Sequence, residues 1–199
     1  MKRALLIVGL SLVAMSSAQA DLTWYIYNGH QYALTETKGN WEQVRAEALG
    51  LGFDLVKIED AEENNWLAQT FHGADPGGPY PSPDNIPQYW IGLYQPEGSA
   101  EPDVEWTWVD GTPLSGFNAW GYNQPNNING QLECDWGTLW GWGDYRGHQT
   151  YGTWNNASYA KTWRGIIEAP LTVPAPGAVL LVGVGTGLAS WLRKKSLLG

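Results

Sequence analysis

Cys134 is the only cysteine in this 199-residue chain, so no intramolecular disulfide can hold its fold together. Stability has to come from packing, and the chain supplies thirteen tryptophans, whose side chains bury large apolar areas. The roughly 150 residues between its two apolar ends are enough for one domain with a sizeable core. We therefore expect a single domain with an aromatic core, in which Cys134 is a small buried hydrophobe and not a catalytic thiol.

The first residues of the chain have the pattern of an export signal. Lys2 and Arg3 precede an apolar run over residues 4–14, and a stretch of small residues then ends in an Ala-x-Ala pattern at Ala20. A charged start, an apolar middle and such a cleavage site are the three parts of a secretory signal peptide. Residues 1–20 are therefore predicted to be removed on export, which leaves a domain over residues 21–169.

The last residues predict a membrane anchor over residues 170–199. Residues 177–192 carry no charge and are followed directly by Arg193, Lys194 and Lys195. A helix of that length reaches about 24 Å, and snorkelling basic side chains extend its reach towards the roughly 30 Å hydrocarbon core. The basic cluster should stay cytoplasmic, so the preceding domain is expected outside.

This tail resembles the PEP-CTERM sorting signal of Gram-negative bacteria, in which a Pro-Glu-Pro motif, an apolar helix and a basic cluster follow one another. Here the motif reads Pro174-Ala175-Pro176, so its central glutamate is missing. The resemblance implies sorting by an exosortase to the membrane or the cell surface, with cutting less expected than insertion.

The charge of the predicted domain excludes one class of partner. Residues 21–169 carry 20 acidic and 6 basic residues, a net charge of −14. Such a surface repels nucleic acid phosphates, and it attracts cations, although a solvated acidic surface is the commoner meaning of this balance. We expect no nucleic acid partner.

Local patterns predict helices first and short strands later. Asn40 with Gln43, and Asp60 with Glu63, have the spacing of a capping box that begins a helix. The pair Asn28-Gly29 predicts a hairpin turn within residues 24–32. Short strands are predicted at 89–93, 105–109, 133–139 and 164–168, with long loops over 72–88 and 141–152. Two helices followed by short strands and long loops indicate an α+β fold.

Two short amide-rich motifs, Gln124-Pro125-Asn126 and Asn155-Asn156, are the candidate site. Hard cations such as calcium take oxygen ligands from amides and carboxylates. Because X-Pro bonds can be cis, a turn at Pro125 can aim Gln124 and Asn126 at one point. The same residue types also crowd ordinary loops, so the residues alone leave both interpretations open.

The order of motifs resembles the C-type lectin-like domain across residues 24–168. Its most diagnostic strand motif stands here unchanged as Trp90-Ile91-Gly92-Leu93. Five further segments fit the family in the same order: 40–48, 53–64, 106–111, 152–156 and 165–168. The resemblance implies two helices, short antiparallel sheets and a long loop region.

The disulfides of that family have no counterpart here. The resemblance puts Ala48 and Ile167 at the positions of one bridge, which implies an apolar contact in its place. It puts Tyr159 opposite Cys134 in the second bridge.

The resemblance also implies a ligand set. In sugar-binding members the two motifs ligate one calcium ion and hydrogen-bond two vicinal sugar hydroxyls. Carried over, the shared ligands of metal and sugar are Gln124, Asn126, Asn155 and Asn156, and Glu133 is the intervening carboxylate, one place later than the family's count. Asn156 replaces the usual aspartate and Gln124 the glutamate of mannose-type members, so negative charge is scarce and the site should bind calcium weakly.

Two further sets of residues stay open. Asp103 and Glu105 are loose candidates for an auxiliary calcium site. Three tryptophans near the motifs, which could stack on a sugar ring or belong to the core, are Trp136, Trp140 and Trp142. The triplet mixes the family's mannose-type and galactose-type patterns, so it predicts no particular sugar.

We therefore expect a non-catalytic carbohydrate-binding domain, exported and tethered at a bacterial cell surface, that binds its sugar or glycoprotein through calcium. The alternative is a calcium-independent protein–protein interaction module of the same fold, because many domains of this fold have lost calcium. An enzyme is not expected, because His30, His72 and His148 lack the spacing of a metal site or triad.

Overall fold

In a computed structural model of the chain, the described residues are 22–72, 74, 88–99, 104–126, 134–141 and 150–171. The predicted signal peptide and residues 172–199 of the predicted C-terminal anchor lie outside them, as do most of the two long loops. Within the described ranges, no helix has the length and apolar character needed to cross a membrane.

Ten elements build the described part of the chain. The helices are α1 Trp41–Gly50 and α2 Ala61–Phe71. The strands are β1 Tyr25–Tyr27, β2 His30–Leu34, β3 Asp54–Leu55, β4 Gln88–Tyr94, β5 Thr107–Trp108, β6 Trp136–Trp140, β7 Trp154–Ala157 and β8 Ile166–Pro170. They form two antiparallel sheets of four strands, β1-β2-β8-β3 and β5-β4-β6-β7. The expected α+β class, with two helices and short antiparallel sheets, is confirmed.

The predicted start signals act as local chemistry requires. Asn28 and Gly29 both have positive φ, 44° and 85°, as a type I′ hairpin turn needs. At α1 the side chain of Asn40 accepts a hydrogen bond from the Gln43 N–H, and Gln43 Oε1 accepts one from the Asn40 N–H. The capping box at α1 is therefore complete.

The capping box at α2 is only half right. Asp60 accepts from the Glu63 N–H at 2.8 Å, as predicted, but Glu63 Oε2 accepts from the Glu59 N–H at 2.8 Å. The other carboxylate oxygen of Glu63 accepts from the Tyr32 hydroxyl at 2.7 Å. Glu63 is drawn towards β2 and buried there, so its side chain does not return to its own N-cap.

The bounds of three strands differ from the predicted ones. The strand predicted at 105–109 is reduced to β5, and Glu105 has a φ of 61°, outside the extended region. The strand predicted at 133–139 is described as β6 from Trp136 onward. Gln88, assigned to a loop, is buried as the first residue of β4.

The two sheets meet where β4 crosses β3. The Gly92 N–H donates to the Val56 carbonyl at 2.7 Å, and a Cβ on Gly92 would lie 2.8 Å from the carbonyl oxygens of Leu55 and Val56. The glycine in the Trp-Ile-Gly-Leu motif therefore has a steric cause, because only glycine lets the backbones approach this closely.

The missing disulfides are replaced unequally. Ala48 and Ile167 are both buried in one hydrophobic cluster with Trp41, Leu55 and Trp90, so apolar packing surrounds the positions of one bridge. Cys134 is buried as expected, but Tyr159, the position opposite it in the family pattern, is 62% exposed.

Candidate functional site

The outer edge of β7 carries the candidate site. The Trp154 N–H donates to the Ala119 carbonyl at 2.6 Å, and the Gly121 N–H donates to the Trp154 carbonyl at 2.8 Å. The chain then turns, with a 3.0 Å hydrogen bond from the Gln124 N–H to the Gly121 carbonyl and a φ of 56° at Asn123. Residues 121–126, called the amide loop below, are thus anchored on β7 at their first residue.

The amide loop brings its two predicted ligands together. The Gln124–Pro125 bond is cis. Asn126 Nδ2 donates to Gln124 Oε1 at 2.8 Å and to the Asn123 carbonyl at 2.7 Å. Gln124 and Asn126 are both half-buried, so the pair of amides faces partly into solvent.

Asn156 ties the far end of the amide loop to β7. It is 4% exposed, its Oδ1 accepts from the Asn126 N–H at 2.8 Å, and its Nδ2 donates to the Asn126 carbonyl at 2.6 Å and to the Cys134 carbonyl at 2.9 Å. A primary amide has two donors and two acceptor lone pairs, so three of its four possibilities are used. As a metal ligand, Asn156 would share an oxygen that already accepts a hydrogen bond.

Asn155 is held by Gln88, a residue that no sequence motif marks as part of the site. Asn155 Nδ2 donates to Gln88 Oε1 at 3.1 Å, and the Thr138 hydroxyl donates to the same oxygen at 2.7 Å. Because Gln88 takes the N–H side of the Asn155 amide, the Asn155 Oδ1 is turned away from it. Gln88 ends a Gly- and Pro-rich stretch, and nothing in that sequence pattern marks it as a buried acceptor.

The donor set fits calcium by ligand type but is poor in charge. Within the described residues, Oδ1 of Asn126 and Oδ1 of Asn155 accept no hydrogen bond, and Gln124 Oε1 accepts one. Calcium takes six to eight oxygen ligands, and carboxylates raise its affinity. The predicted carboxylate ligand Glu133 lies outside the described residues, within which no group of three His, Cys, Asp or Glu is placed to hold a metal.

The auxiliary candidates do not strengthen the site. Glu105 is exposed, and its carbonyl accepts from the Thr107 hydroxyl at 2.9 Å. Asp103 lies outside the described residues.

The aromatic candidates fall on the core side. Trp140 is 5% exposed and Trp136 packs against a buried cluster, while Trp142 lies outside the described residues. Core packing is therefore the role of Trp140. Tyr122 in the amide loop is 64% exposed, and no sequence motif marks it as a ligand-binding residue.

Ionisable groups with shifted pKa values lie elsewhere. Burial raises the pKa of Glu63 on α2, and burial together with the Glu63 carboxylate raises the pKa of Tyr32 on β2 above its ordinary range. A hydrogen bond from Lys57, with help from Thr112, lowers the pKa of Asp110 to about 2. Among the residues of the amide loop and β7, the polar side chains that form the candidate site are neutral amides.

The histidines make separate contacts. His30 Nδ1 lies 2.5 Å from Glu168 Oε1, and His72 Nδ1 lies 2.8 Å from the Gly141 carbonyl. His148 lies outside the described residues.

Comparison with known proteins finds similarity to C-type lectin domains. A family model described as "Lectin C-type domain" matches residues 36–159. CD209 antigen-like protein D of Mus musculus is 32% identical over 123 residues, which are 61% of this chain and 45% of that protein. Perlucin-like protein of Mytilus galloprovincialis is 26% identical over 117 residues, 59% of this chain and 65% of that protein. The chain thus spans less than two thirds of the length of either relative.

Solved structures share the fold. The mouse scavenger receptor C-type lectin carbohydrate-recognition domain superimposes with a TM-score of 0.57 at 22% identity, covering 75% of this chain and 96% of that one. A calcium-independent type II antifreeze protein superimposes with a TM-score of 0.52 at 16% identity, covering 74% and 91%.

Proposed function

The chain belongs to the C-type lectin domain family, and on that premise we propose that it is a non-catalytic carbohydrate-binding domain. The observation that carries this proposal is the convergence of Gln124 and Asn126, whose amides lie 2.8 Å apart on a loop fixed to β7. Side-chain amides offer both donors and acceptors, which suits neighbouring sugar hydroxyls that also do both. Asn155, oriented by Gln88, supplies a third amide oxygen on the adjacent strand.

Calcium is proposed as a weakly held part of this site. Its ligands would be Gln124, Asn126, Asn155 and the carboxylate of Glu133. When bound, the cation supplies a charge to which two vicinal sugar hydroxyls coordinate. Because most of these ligands are neutral, we expect a dissociation constant in the range of weak extracellular sites, on the order of 10⁻⁴ to 10⁻³ M.

The place of action is proposed from the ends of the chain. Residues 1–20 would direct export, and residues 170–199 would tether the domain at the surface of a Gram-negative-type bacterium. Fractionation of cells that express the full chain tests this. Recovery of the protein in the cytosol with residues 1–20 still attached would contradict it.

Glycan array binding of the full chain, with millimolar calcium and with chelator, tests the function. We expect binding to a class of glycans that falls with chelator and is lost in Asn126→Ala. The matched control is Asn118→Ala, because Asn118 is an exposed asparagine before the amide loop that forms no hydrogen bond with the described residues. Equal binding by the two variants would remove the amide loop from the site.

A calcium-independent protein-binding module is the second candidate, favoured by two observations. Tyr122 and Tyr159 are 64% and 62% exposed, and Asn156 is already engaged in hydrogen bonds to the backbone. If binding to a glycoprotein persists after the partner is deglycosylated and after chelator is added, the result would support this candidate against the first.

A further inference from the structure

Asn156 stands where the family pattern has an aspartate, and its N–H₂ group is the part of the side chain that an aspartate lacks. Both N–H bonds are used, one to the Asn126 carbonyl at 2.6 Å and one to the Cys134 carbonyl at 2.9 Å. Those two carbonyls belong to separate segments, the end of the amide loop and the approach to β6. A single buried amide therefore connects three parts of the chain.

An aspartate in the same place would produce a different balance of forces. One carboxylate oxygen could still accept from the Asn126 N–H, as Asn156 Oδ1 does at 2.8 Å. The other would replace Nδ2 and face two carbonyl oxygens with no hydrogen between them, because an ionised carboxylate is an acceptor only. Three oxygens at such distances repel one another unless a cation lies among them, and calcium accepts both carboxylate and carbonyl oxygens.

We propose that Asn156 takes the loop-closing role of a cation in this chain, so that the amide loop keeps its shape without calcium. The two N–H donors of Asn156 satisfy the carbonyls that a bridging ion would otherwise neutralise. The loop is thus preorganised, and bound calcium would coordinate the sugar hydroxyls without being needed to hold the loop in shape. The inference relies on the proposed function only for the place of the sugar, since the closure itself involves backbone groups.

Hydrogen exchange of the full chain tests the closure directly. The Asn126 amide donates to Asn156 Oδ1, so its exchange should be slow, and equally slow with calcium and with chelator. The Trp154 amide, which donates to the Ala119 carbonyl, serves as an internal reference on β7. Tenfold faster exchange of the Asn126 amide in chelator, with Trp154 unchanged, would overturn the proposal.

The variant Asn156→Asp tests the role of the N–H₂ group. In chelator we expect it to lose protection at the Asn126 amide and to melt at a lower temperature than the parent chain. Calcium at about one hundred times its dissociation constant should then raise its melting temperature by roughly 5 °C or more, and magnesium should not. The parent chain should respond much less.

Asn118→Asp is the matched control, because it adds the same charge at an asparagine that lies outside the proposed ligand set. Asn118 is exposed and forms no hydrogen bond with the described residues, so protection at the Asn126 amide should be unchanged in this variant. Equal calcium dependence of both variants would assign the effect to charge alone and overturn the proposal. If Asn156→Asp does not fold, exchange in the parent chain decides. None of these readouts involves a sugar, so a failure to bind glycans leaves the test intact.

Discussion

The two sheets of this molecule carry polar clusters built from opposite chemistry. On the second sheet, the amide cluster of Gln88, Gln124, Asn126, Asn155 and Asn156 is neutral, and its members donate to one another or to the backbone. On the first sheet, the carboxylate cluster of His30, Tyr32, Glu63 and Glu168 joins β2 and β8 to α2. Glu63 and Glu168 are therefore part of the scaffold, whereas the candidate ligand site is organised by groups that do not titrate.

That difference explains why the net charge of a chain is a poor guide to metal binding. A net charge of −14 over residues 21–169 suggests cation binding, yet the buried carboxylate of Glu63 is satisfied by the Tyr32 hydroxyl and the Glu59 N–H. A carboxylate with two donors needs no cation. Conversely, the side chains of the amide cluster are neutral, so they bring little charge with which to hold an ion.

The largest expected effect comes from removing the centre of the amide cluster. Asn156→Ala removes three hydrogen bonds, one from the Asn126 N–H and two to the carbonyls of Asn126 and Cys134. Each lost hydrogen bond costs about 1 kcal/mol, so we expect the free energy of unfolding to fall by about 3 kcal/mol. Urea denaturation measures it. Asn155→Ala, which removes one hydrogen bond, should cost about 1 kcal/mol, and equal losses would show that Asn156 has no special role.

The corresponding change in the carboxylate cluster should cost somewhat less. Tyr32→Phe keeps the buried ring but removes the hydroxyl that donates to Glu63 Oε1 at 2.7 Å. Hydrogen bonds to charged groups contribute about 1.5–3 kcal/mol, so a loss of about 2 kcal/mol is expected at neutral pH. Tyr27→Phe on β1 is the control, because the Tyr27 hydroxyl forms no hydrogen bond with the described residues. A similar loss in both variants would contradict the assignment.

The two clusters should also differ in their response to pH. Because burial raises the pKa of Glu63, the folded state binds this proton more tightly than the unfolded state does. The stabilisation from this group is complete below the unfolded pKa, about 4.3, and is lost as pH rises through the raised folded pKa. The free energy of unfolding of the parent chain, relative to Glu63→Gln, should therefore fall as pH rises from about 4 towards neutrality.

Variants of the amide cluster provide the contrast, since amides do not titrate. The stability of Asn156→Ala should run parallel to that of the parent chain across the same pH range. If the pH dependence of the free energy of unfolding disappeared in Asn156→Ala and persisted in Glu63→Gln, the assignment of this dependence to Glu63 would be wrong.

Contacts between residues close in sequence could be predicted, whereas contacts made by distant backbone groups could not. The hairpin turn at Asn28-Gly29 and the cap at Asn40 depend on neighbouring residues, so the sequence predicted them correctly. The pairing of Gln124 with Asn126 is equally local. The three partners of Asn156 are backbone groups of Asn126 and Cys134, which have no sequence signature. Gln88 meets Asn155 only because β4, β6 and β7 lie side by side, and Glu63 leaves its capping box because the fold brings Tyr32 to it.

The smallest expected effect on stability comes from substitution of Tyr122, whose expected effect is on glycan binding. Tyr122 is 64% exposed on the amide loop, so Tyr122→Ala should change the free energy of unfolding by less than about 0.5 kcal/mol. A sugar ring packed on Tyr122 would remove a few tens of Å² of apolar surface from water, worth about 0.5–1.3 kcal/mol. The dissociation constant for the glycan should therefore rise by a factor of about 2 to 10. Titration with the best glycan from the array measures it.

Tyr159→Ala is the matched control for this last variant, because Tyr159 is 62% exposed in the turn after β7. Its substitution should leave glycan affinity unchanged. If both tyrosines matter equally, and for a deglycosylated partner as well, the exposed aromatics form a protein contact surface and the second candidate function replaces the first. A loss confined to Tyr122 and to glycans would instead restrict ligand recognition to the amide loop.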